Sequence, residues 1–401
     1  MFKIIKKDER TKARLGVLTT PHGVVSTPSY VFVGTYGKFR HLEPKDIEET
    51  QTQLIIANTF HLWQKALKNK LKEGFIHKSF GLKIPIMTDS GGFQVLSLAF
   101  GDKNKVSKFM SDDTKADIKH ERTKIRITDK GVYFQYNDTK LFLGPELSIQ
   151  LQRKIGADII FAFDHITSPH DNFGYNKKAV ELTNKWAKIC LQEHAKNQKN
   201  KKNKQMLFGI VQGGIYPKLR EASAKHIGSL PFDGFGIGGS YTKKQISEML
   251  KWVIPHLPEE KPRHLLGVGK IADIFEAIEN GVDTFDCVIP TREARHGKLY
   301  TKTDYIDIRK GKYVKDKKII EKNCGCSTCS KVNRLQIRKL IKSEDRDENA
   351  AGQRWCLMHN MWFFNKLLED IRNSIARGKF LEFKEKTLRP LQSLTTLSPE
   401  K

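Results

Sequence analysis

The sequence predicts an α/β fold in which a (β/α)₈ barrel, or TIM barrel, is followed by a smaller subdomain. Two observations lead to this prediction: eight short apolar runs recur up to residue 288, and helical patterns separate most of them. Buried parallel strands appear as continuous apolar runs because both faces of their sheet are covered. The runs are residues 30–35, 54–59, 84–89, 158–164, 207–212, 234–239, 264–269 and 283–288.

Polar or glycine residues stand at the ends of most of these runs. In a barrel of parallel strands, the carboxyl ends of all strands lie on one face, and that face carries the active site. Carboxylates buried there are costly unless they have partners or take part in chemistry. We therefore expect a functional site among the residues at the strand ends, which are Asn58, Asp89, Asp164, Gln212, Gly239, Gly269 and Asp286.

The chain is strongly basic. Its 401 residues include 71 Lys and Arg against 45 Asp and Glu, which gives a formal net charge of +26. A charge of this size attracts polyanions, so nucleic acid is the leading partner. The excess is concentrated in residues 309–342, where twelve basic residues accompany two acidic ones. The alternative is a solvated surface without a partner.

Composition also limits where the protein works. No apolar run approaches the ~20 residues that a membrane span needs, which excludes an integral membrane protein. The N-terminus enters charged sequence at once, as expected for a protein that is not secreted. Three of the six cysteines lie within residues 324–329, which indicates metal ligation in a reducing compartment rather than a disulfide framework. We expect a cytoplasmic location.

The three clustered cysteines, Cys324, Cys326 and Cys329, place three thiolates in one tight turn. A fourth ligand from a following helix would complete a tetrahedral site, and a closed site of this kind is structural. Cys356 and His359 are both candidates, because they stand three residues apart and share one helical face. The spacing does not choose between them. We predict one structural Zn²⁺.

These patterns divide the chain into three regions. Residues 1–300 form the barrel, with an insertion at about 100–123 that is rich in charged residues and poor in apolar ones. Residues 301–388 form a basic zinc-binding subdomain with closing helices. Residues 389–401 form a disordered tail.

Six motifs follow one another along the chain. They are Thr20-Pro-His-Gly-Val-Val25, Ala57-Asn-Thr-Phe-His-Leu62, Thr88-Asp-Ser-Gly-Gly-Phe-Gln-Val95, Gly209-Ile-Val-Gln-Gly-Gly214, Phe285-Asp-Cys-Val-Ile-Pro-Thr-Arg292 and the Cys-x-Cys-x-x-Cys…His pattern. Together they resemble the tRNA-guanine transglycosylases (queuine tRNA-ribosyltransferases) of the bacterial type over about residues 10–385. The resemblance implies a barrel with a zinc subdomain. It also implies an enzyme of queuosine biosynthesis that exchanges the wobble guanine of GUN anticodons for a 7-deazaguanine base.

Base exchange with retained ribose configuration requires two displacements through a covalent sugar intermediate, and hence at least two carboxylates. By resemblance, Asp286 is the nucleophile and Asp89 the general acid/base. The residues implied to bind the base are Ser90, Phe93, Asp164, Gln212, Gly239 and Leu266. Those implied to bind tRNA are Lys270, Arg292 and Arg295, and those implied to bind zinc are Cys324, Cys326, Cys329 and His359. The alternatives are core packing for Phe93 and Leu266, a helix cap for Asp286, and surface ion pairs for the cations.

The resemblance further implies the partners of the protein. The target base must leave its stack to reach a barrel mouth, so an unstacked anticodon loop is the expected tRNA substrate. Free guanine and a free 7-deazaguanine base are the other ligands, and the expected assembly is a homodimer.

The chain departs from the common bacterial pattern in three places. His165 and Ile166 replace a Glu-Cys pair, and the insertion at 100–123 is the second difference. In the third, residues 240–244 lack the glutamate that recognises the aminomethylated base preQ1; Lys244 or Tyr241 takes its position, depending on the alignment. We therefore expect the incoming base to differ from preQ1 or to be chosen less strictly, with queuine as one candidate. The alternative is that a backbone carbonyl suffices and the usual base is used.

Two competing functions follow from the same residues. A non-catalytic tRNA-binding partner of such an enzyme would lack the nucleophile, whereas Asp286 is present. The same chemistry on DNA, or on the elbow of archaeal tRNA, is the other alternative. The archaeal form is disfavoured because no appended RNA-binding domain follows the cysteine-rich region.

Overall fold

The computed structural model describes residues 1–68, 74–99, 125–136, 139–196, 205–239 and 245–395. The predicted insertion at 100–123 and the loop at 240–244 lie outside these ranges, as do residues 396–401. Within the described ranges, none of the helices combines the length and the apolar character needed to cross a membrane.

The strands of the described residues form four sheets. One is a closed eight-stranded barrel, two are three-stranded and antiparallel, and one is a two-stranded hairpin. Their bounds are β1 Phe2–Lys7, β2 Arg14–Thr20, β3 Gly23–Thr27, β4 Ser29–Val33, β5 Ile55–Ala57, β6 Ile86–Thr88, β7 Ile125–Thr128, β8 Gly131–Tyr136, β9 Thr139–Leu143, β10 Ile159–Phe161, β11 Met206–Val211, β12 Gly234–Ile237, β13 Arg263–Leu266, β14 Thr284–Asp286, β15 Lys298–Tyr300 and β16 Tyr305–Asp307.

The helices alternate with the barrel strands. Each barrel strand is followed along the chain by at least one helix, as a (β/α)₈ barrel requires. Their bounds are α1 Pro44–Glu49, α2 Thr59–Lys68, α3 Phe75–Phe80, α4 Gly92–Ala99, α5 Pro145–Ile155, α6 Phe173–Ala195, α7 Pro217–Gly228, α8 Ile246–Val253, α9 Ile271–Glu279, α10 Ile289–Arg295, α11 Ser327–Lys331, α12 Arg334–Lys342, α13 Arg346–Ala376 and α14 Phe380–Thr395.

The barrel consists of β4, β5, β6, β10, β11, β12, β13 and β14, paired in parallel in this order, with β14 closing against β4. Each strand overlaps one of the eight predicted apolar runs, so the predicted barrel is confirmed. The register places Asp286 opposite Leu266 on one side and opposite Val31 on the other. The polar residues at the strand ends therefore share one face of the barrel.

The barrel interior is apolar, and the β2–β3 hairpin closes its amino-terminal end. Val31, Met87 and Phe208 belong to one buried cluster inside the ring of strands. Leu18 of β2 and Val25 of β3 are fully buried in the same cluster, and full burial of such a side chain contributes about 1.5–3 kcal/mol. Since β3 leads directly into the start of β4, the hairpin forms the floor of the barrel.

The last described helix extends past the predicted start of the tail. The sequence predicts a disordered tail from residue 389, but α14 continues to Thr395. This helix is held by tertiary contacts: the Phe383 ring packs 6.0 Å from that of Phe275 on α9, and Lys384 forms a 2.6 Å ion pair with Glu276. Composition alone does not reveal these contacts.

Two further elements of the fold depend on contacts that the sequence patterns do not reveal. Among the closing helices, α13 begins at Arg346, because the Asp345 side chain caps it by accepting hydrogen bonds from two backbone amides. The sheet β7–β8–β9 is not predicted by the apolar pattern. It is stabilised by packing of the buried Phe134 against Phe60 and Trp63 of α2.

The buried ion pair between Arg14 and Asp283 generates a prediction about stability. The guanidinium donates two hydrogen bonds to the carboxylate, at 2.9 and 2.6 Å, and the two side chains are 2% and 0% exposed. Arg14→Met leaves a buried carboxylate without its partner, so we expect the free energy of unfolding in urea to fall by about 3–5 kcal/mol. Lys7→Met is the control, because the Lys7–Glu259 pair is 55% and 61% exposed, and such pairs contribute at most about 1 kcal/mol. Equal losses for the two variants would contradict the assignment.

Candidate active site

Asp286, the last residue of β14, lies at the carboxyl-terminal mouth of the barrel. Its Oδ1 atom accepts a hydrogen bond from His264 Nε2 at 3.1 Å and a longer one from the Gly267 amide at 3.4 Å. The buried His264 ring is fixed at Nδ1 by the Thr284 hydroxyl, 2.9 Å away. The Asp286 side chain remains 16% exposed. The carboxylate is thus oriented through one oxygen and still reachable by a ligand.

Asp89, directly after β6, is held by three donors. Asn58 Nδ2 donates to Oδ2 at 2.6 Å, and two backbone amides, including that of Thr59 at 2.8 Å, donate to Oδ1. Burial raises the pKa of Asp89 to about 7, and the charges of Asp286 and Asp164 act in the same direction against these amide hydrogen bonds. The three carboxyl groups therefore share one site, and near neutral pH Asp89 is present in both protonation states.

Asp164, beyond the end of β10, is 5% exposed. Its Oδ2 atom accepts a hydrogen bond from Gln212 Nε2 at 2.6 Å, and its Oδ1 atom accepts one from the Ser90 hydroxyl at 3.1 Å. Burial raises the pKa of Asp164 to about 6, although both hydrogen bonds oppose the shift. Gln212 Oε1 is buried and has no hydrogen-bond partner within the described part of the chain. Since such an acceptor is costly to leave unpaired, it is suited to receive a ligand donor.

Gly239 lies so close to Gln212 that no side chain fits at this position. Its φ is +98°, and a Cβ would stand 2.6 Å from Gln212 Oε1 and 2.8 Å from Arg220 Nη2. The buried Arg220 also donates to the carbonyl of Gly238 at 2.6 Å. The Gly238–Gly239 backbone is therefore held against the side chain that contacts Asp164.

Phe93 and Leu266 complete the apolar part of the mouth. Phe93 on α4 is 38% exposed, so core packing does not account for its whole surface. Leu266 at the end of β13 is partly buried and packs against the interior cluster.

His165, which replaces the family's glutamate, is directed toward the helix layer. The side chain is 3% exposed, and its Nε2 atom lies 3.0 Å from the Tyr175 hydroxyl on α6. Ile166 is only partly buried. The substitution thus adds a hydrogen bond between the strand end and α6, next to Asp164.

A group of cations borders the mouth. Arg292 and Arg295 lie on α10, shortly after Asp286, and Lys270 is the N-cap residue of α9. Burial lowers the pKa of Arg295, and so do the charges of Arg40 and Arg292. Arg40 therefore belongs to the group. The repulsion among these guanidinium groups favours an anionic ligand.

The strand-end residue Asn58 was expected in this site, whereas two other residues of the site are not indicated by the sequence: His264 and Arg40. The signal for His264 is its register, because it stands two residues before Leu266 in β13 and so shares its inward face. Arg40 carries a weaker signal, since it lies in the loop that follows β4 and such loops border the mouth.

A second site lies in the appended subdomain. Four ligand atoms lie within 4.8 Å of one another there, and the residues that carry them can hold a metal ion. These residues are Cys324, Cys326, Cys329 and His359. The distances from His359 Nδ1 to the three Sγ atoms are 4.0, 3.4 and 3.6 Å. Tetrahedral zinc, with bonds of about 2.3 Å to sulfur and about 2.0 Å to nitrogen, would separate these atoms by roughly 3.5 Å.

The structure resolves the choice of the fourth ligand. His359 Nε2 donates to the Tyr300 carbonyl at 2.7 Å, which turns Nδ1 toward the three thiols. Cys356 is fully buried on the same helix and does not belong to this cluster. The Cys₃His set therefore has the donor atoms and the spacing that a tetrahedral metal ion requires.

The closed (β/α)₈ barrel, the three aspartates at its mouth and the Cys₃His cluster define a barrel enzyme with an appended metal-binding subdomain. The family model described as queuine tRNA-ribosyltransferase matches residues 8–393. The queuine tRNA-ribosyltransferases of Staphylococcus aureus strains JH9 and JH1 are each 38% identical over 390 residues, covering 96% of this chain and 94% of the relative. The chain belongs to the queuine tRNA-ribosyltransferase family. Members of this family are tRNA-guanine transglycosylases, and their known activity is guanine exchange in tRNA during queuosine biosynthesis.

The metal cluster generates a prediction that separates its two candidate ligands. We expect His359→Ala to lose most of its bound metal, because three thiolates remain without the ligand that closes the site. Cys356→Ala should keep the wild-type metal content, measured by elemental analysis after gel filtration. Loss of metal from Cys356→Ala with retention in His359→Ala would reverse the assignment.

Proposed function

We propose that this chain exchanges the wobble guanine of tRNAs with GUN anticodons for a 7-deazaguanine base through a covalent ribosyl–enzyme intermediate. The observation that carries the proposal is the contrast among three aspartates in one site. Asp286 is oriented and accessible, Asp89 has a pKa of about 7, and Asp164 is buried between two hydrogen-bond donors. Different environments suit the same side chain to different roles.

Asp286 is the nucleophile in this mechanism. The hydrogen bond from His264 to Oδ1 orients the carboxylate, so that Oδ2 attacks the anomeric carbon C1′ of the ribose. The bond from C1′ to the guanine nitrogen breaks as the new C1′–O bond forms. The nitrogen of the incoming base then attacks C1′ and releases Asp286 as a carboxylate. Two inversions retain the configuration, as in retaining glycoside hydrolysis.

Asp89 serves as the general acid and base. Its protonated form gives a proton to the departing guanine, and the resulting carboxylate takes the proton from the incoming base. Groups with a pKa near the working pH perform both transfers, which typically accelerate a reaction about 10²–10⁴-fold. The pKa of about 7, which burial chiefly produces, supports this role.

The base is recognised by Asp164 and its neighbours. As a carboxylate, Asp164 accepts hydrogen bonds from the N1–H and the exocyclic amine, which guanine and 7-deazaguanines share. Gln212, Ser90 and the backbone at Gly239 complete this polar pocket, and their contacts with Asp164 and with one another support the assignment. The exposed Phe93 ring stacks on the base, and Leu266 forms the pocket floor.

The cations at the mouth bind the anticodon loop. Arg292 and Arg295 address base edges and phosphates of an unstacked loop, and Lys270 supplies phosphate charge. We add Arg40 to this set, because it lies close enough to Arg295 to affect its pKa. The net charge of +26 supports attraction of tRNA over a longer range.

The metal of the Cys₃His cluster is proposed to be one structural Zn²⁺. The ion would be held by Cys324, Cys326, Cys329 and His359. Because four protein ligands leave no open coordination position, it would stabilise the fold and take no part in the reaction. We further propose a cytoplasmic homodimer, which tRNA as substrate and the family resemblance support. Sedimentation equilibrium of the purified chain tests the dimer.

The mechanism predicts the behaviour of two variants. Asp286→Asn should abolish both guanine exchange and the denaturation-resistant enzyme–RNA adduct, because an amide cannot form the ribosyl ester. Asp89→Asn should lower kcat by about 10²–10⁴-fold through loss of proton transfer. The measurement is incorporation of radiolabelled guanine into unmodified tRNA with a GUN anticodon, with circular dichroism to confirm folding. Exchange by Asp286→Asn at near wild-type rate would refute the proposal.

A separate prediction concerns which free base the protein prefers as the incoming substrate. The sequence places no glutamate in residues 240–244, so the ammonium group of preQ1 lacks its usual acceptor there, which costs on the order of 1–3 kcal/mol. We expect kcat/KM for preQ1 to be no higher than that for queuine in competition assays with the two free bases. A clear preference for preQ1 would show that another acceptor serves the aminomethyl group.

A further inference from the structure

A second group of metal-binding side chains lies at the opposite end of the barrel from the proposed active site. His22 stands in the turn between β2 and β3, His77 on α3, and Asp158 immediately before β10. Their ligand atoms all lie within 4.8 Å of one another. Asp158 Oδ1 is 2.7 Å from His22 Nδ1, and Asp158 Oδ2 is 3.0 Å from His77 Nε2. The proposed base exchange uses none of these groups.

The two imidazole rings are unusually close. They stack with centroids 3.5 Å apart and an interplanar angle of 21°, and each directs a ring nitrogen to the same carboxylate. Two imidazolium rings in this arrangement would repel each other. Two neutral rings that share a cation would not, because each would contribute a lone pair rather than a charge.

Asp158 is prepared to act as an anionic ligand. Its side chain is 1% exposed. The Ile86 amide donates a hydrogen bond to its Oδ2 atom at 2.9 Å and holds the carboxylate in place. A buried carboxylate of this kind is expensive without a partner of opposite charge.

We propose that His22, His77 and Asp158 bind one divalent transition-metal ion at the amino-terminal end of the barrel. Ligand atoms at about 2.0–2.2 Å from a common ion are roughly 3 Å apart when their bonds stand near right angles, and the two nitrogen–oxygen distances agree with this spacing. Two imidazoles and a carboxylate form a donor set that Zn²⁺ and neighbouring first-row metals accept. Because the His22 side chain is 41% exposed, water can fill the remaining coordination positions.

Such an ion would connect three separate parts of the fold. His22 belongs to the hairpin that closes the barrel floor, His77 to the helix layer, and Asp158 to the amino-terminal end of a barrel strand. Asp158 also accepts a hydrogen bond from the Ile86 amide at the start of β6. Metal binding would therefore fasten the floor to the strands, and binding to the folded state alone raises stability as the free metal concentration exceeds the Kd.

The test is titration of Zn²⁺ into purified protein whose Cys₃His cluster is already loaded. We expect calorimetry and elemental analysis to show one additional equivalent per chain, and the melting temperature to rise with added Zn²⁺. His22→Gln should weaken this added equivalent at least tenfold and remove the thermal shift. The half-exposed position of His22 makes this variant safe for folding.

Three further variants complete the test. Asp158→Asn should also lose the added equivalent; if it fails to fold, His77→Gln replaces it. His170→Gln, which alters an exposed histidine elsewhere, should bind Zn²⁺ as the wild type does. No additional equivalent in the wild type, or unchanged affinity in His22→Gln, would overturn the proposal and leave the group as hydrogen bonds alone.

Discussion

The closed ring of eight parallel strands is the constraint on which the rest of the structure depends. Because all strands run in one direction, their carboxyl ends meet on one face, although the residues they carry are far apart in sequence. Asp89, Asp164 and Asp286 come together for this reason alone. The same closure gathers the amino-terminal strand ends on the other face, where the β2–β3 hairpin and the His22 group lie.

At the mouth, burial has a different consequence for each aspartate because the donors around them differ. Asp164 is buried but receives two side-chain hydrogen bonds, which limit its pKa to about 6. Burial raises the pKa of Asp89 to about 7, and the charges of the other two carboxylates add to this shift. Asp286 is more open and is oriented by the buried His264. One residue type thus occupies three different environments, which suit the proposed roles of acceptor, acid/base and nucleophile.

The metal-binding subdomain is joined to the mouth through α13 rather than set apart from it. His359 donates to the Tyr300 carbonyl, and the adjacent Asn360 accepts from the Tyr300 amide at 3.1 Å. Asn360 also donates to the carbonyl of Pro290 on α10, the helix that presents Arg292. A closed metal site would therefore fix the helix that carries Arg292 and Arg295, the cations proposed to bind the anticodon loop.

The sequence by itself determined the ring of strands, the aspartates at their ends and the cysteine cluster, because apolar runs and short motifs are local patterns that burial and metal ligation impose directly. The spacing left the fourth ligand open and the resemblance implied His359, which the structure places beside the three cysteines. Only the tertiary structure decided that His264 orients Asp286, that Arg40 joins the cations and that α14 continues to Thr395. Each of these depends on a distance between segments remote in sequence. The pKa values of the aspartates likewise depend on burial and on neighbouring donors, which exist only after the chain has folded.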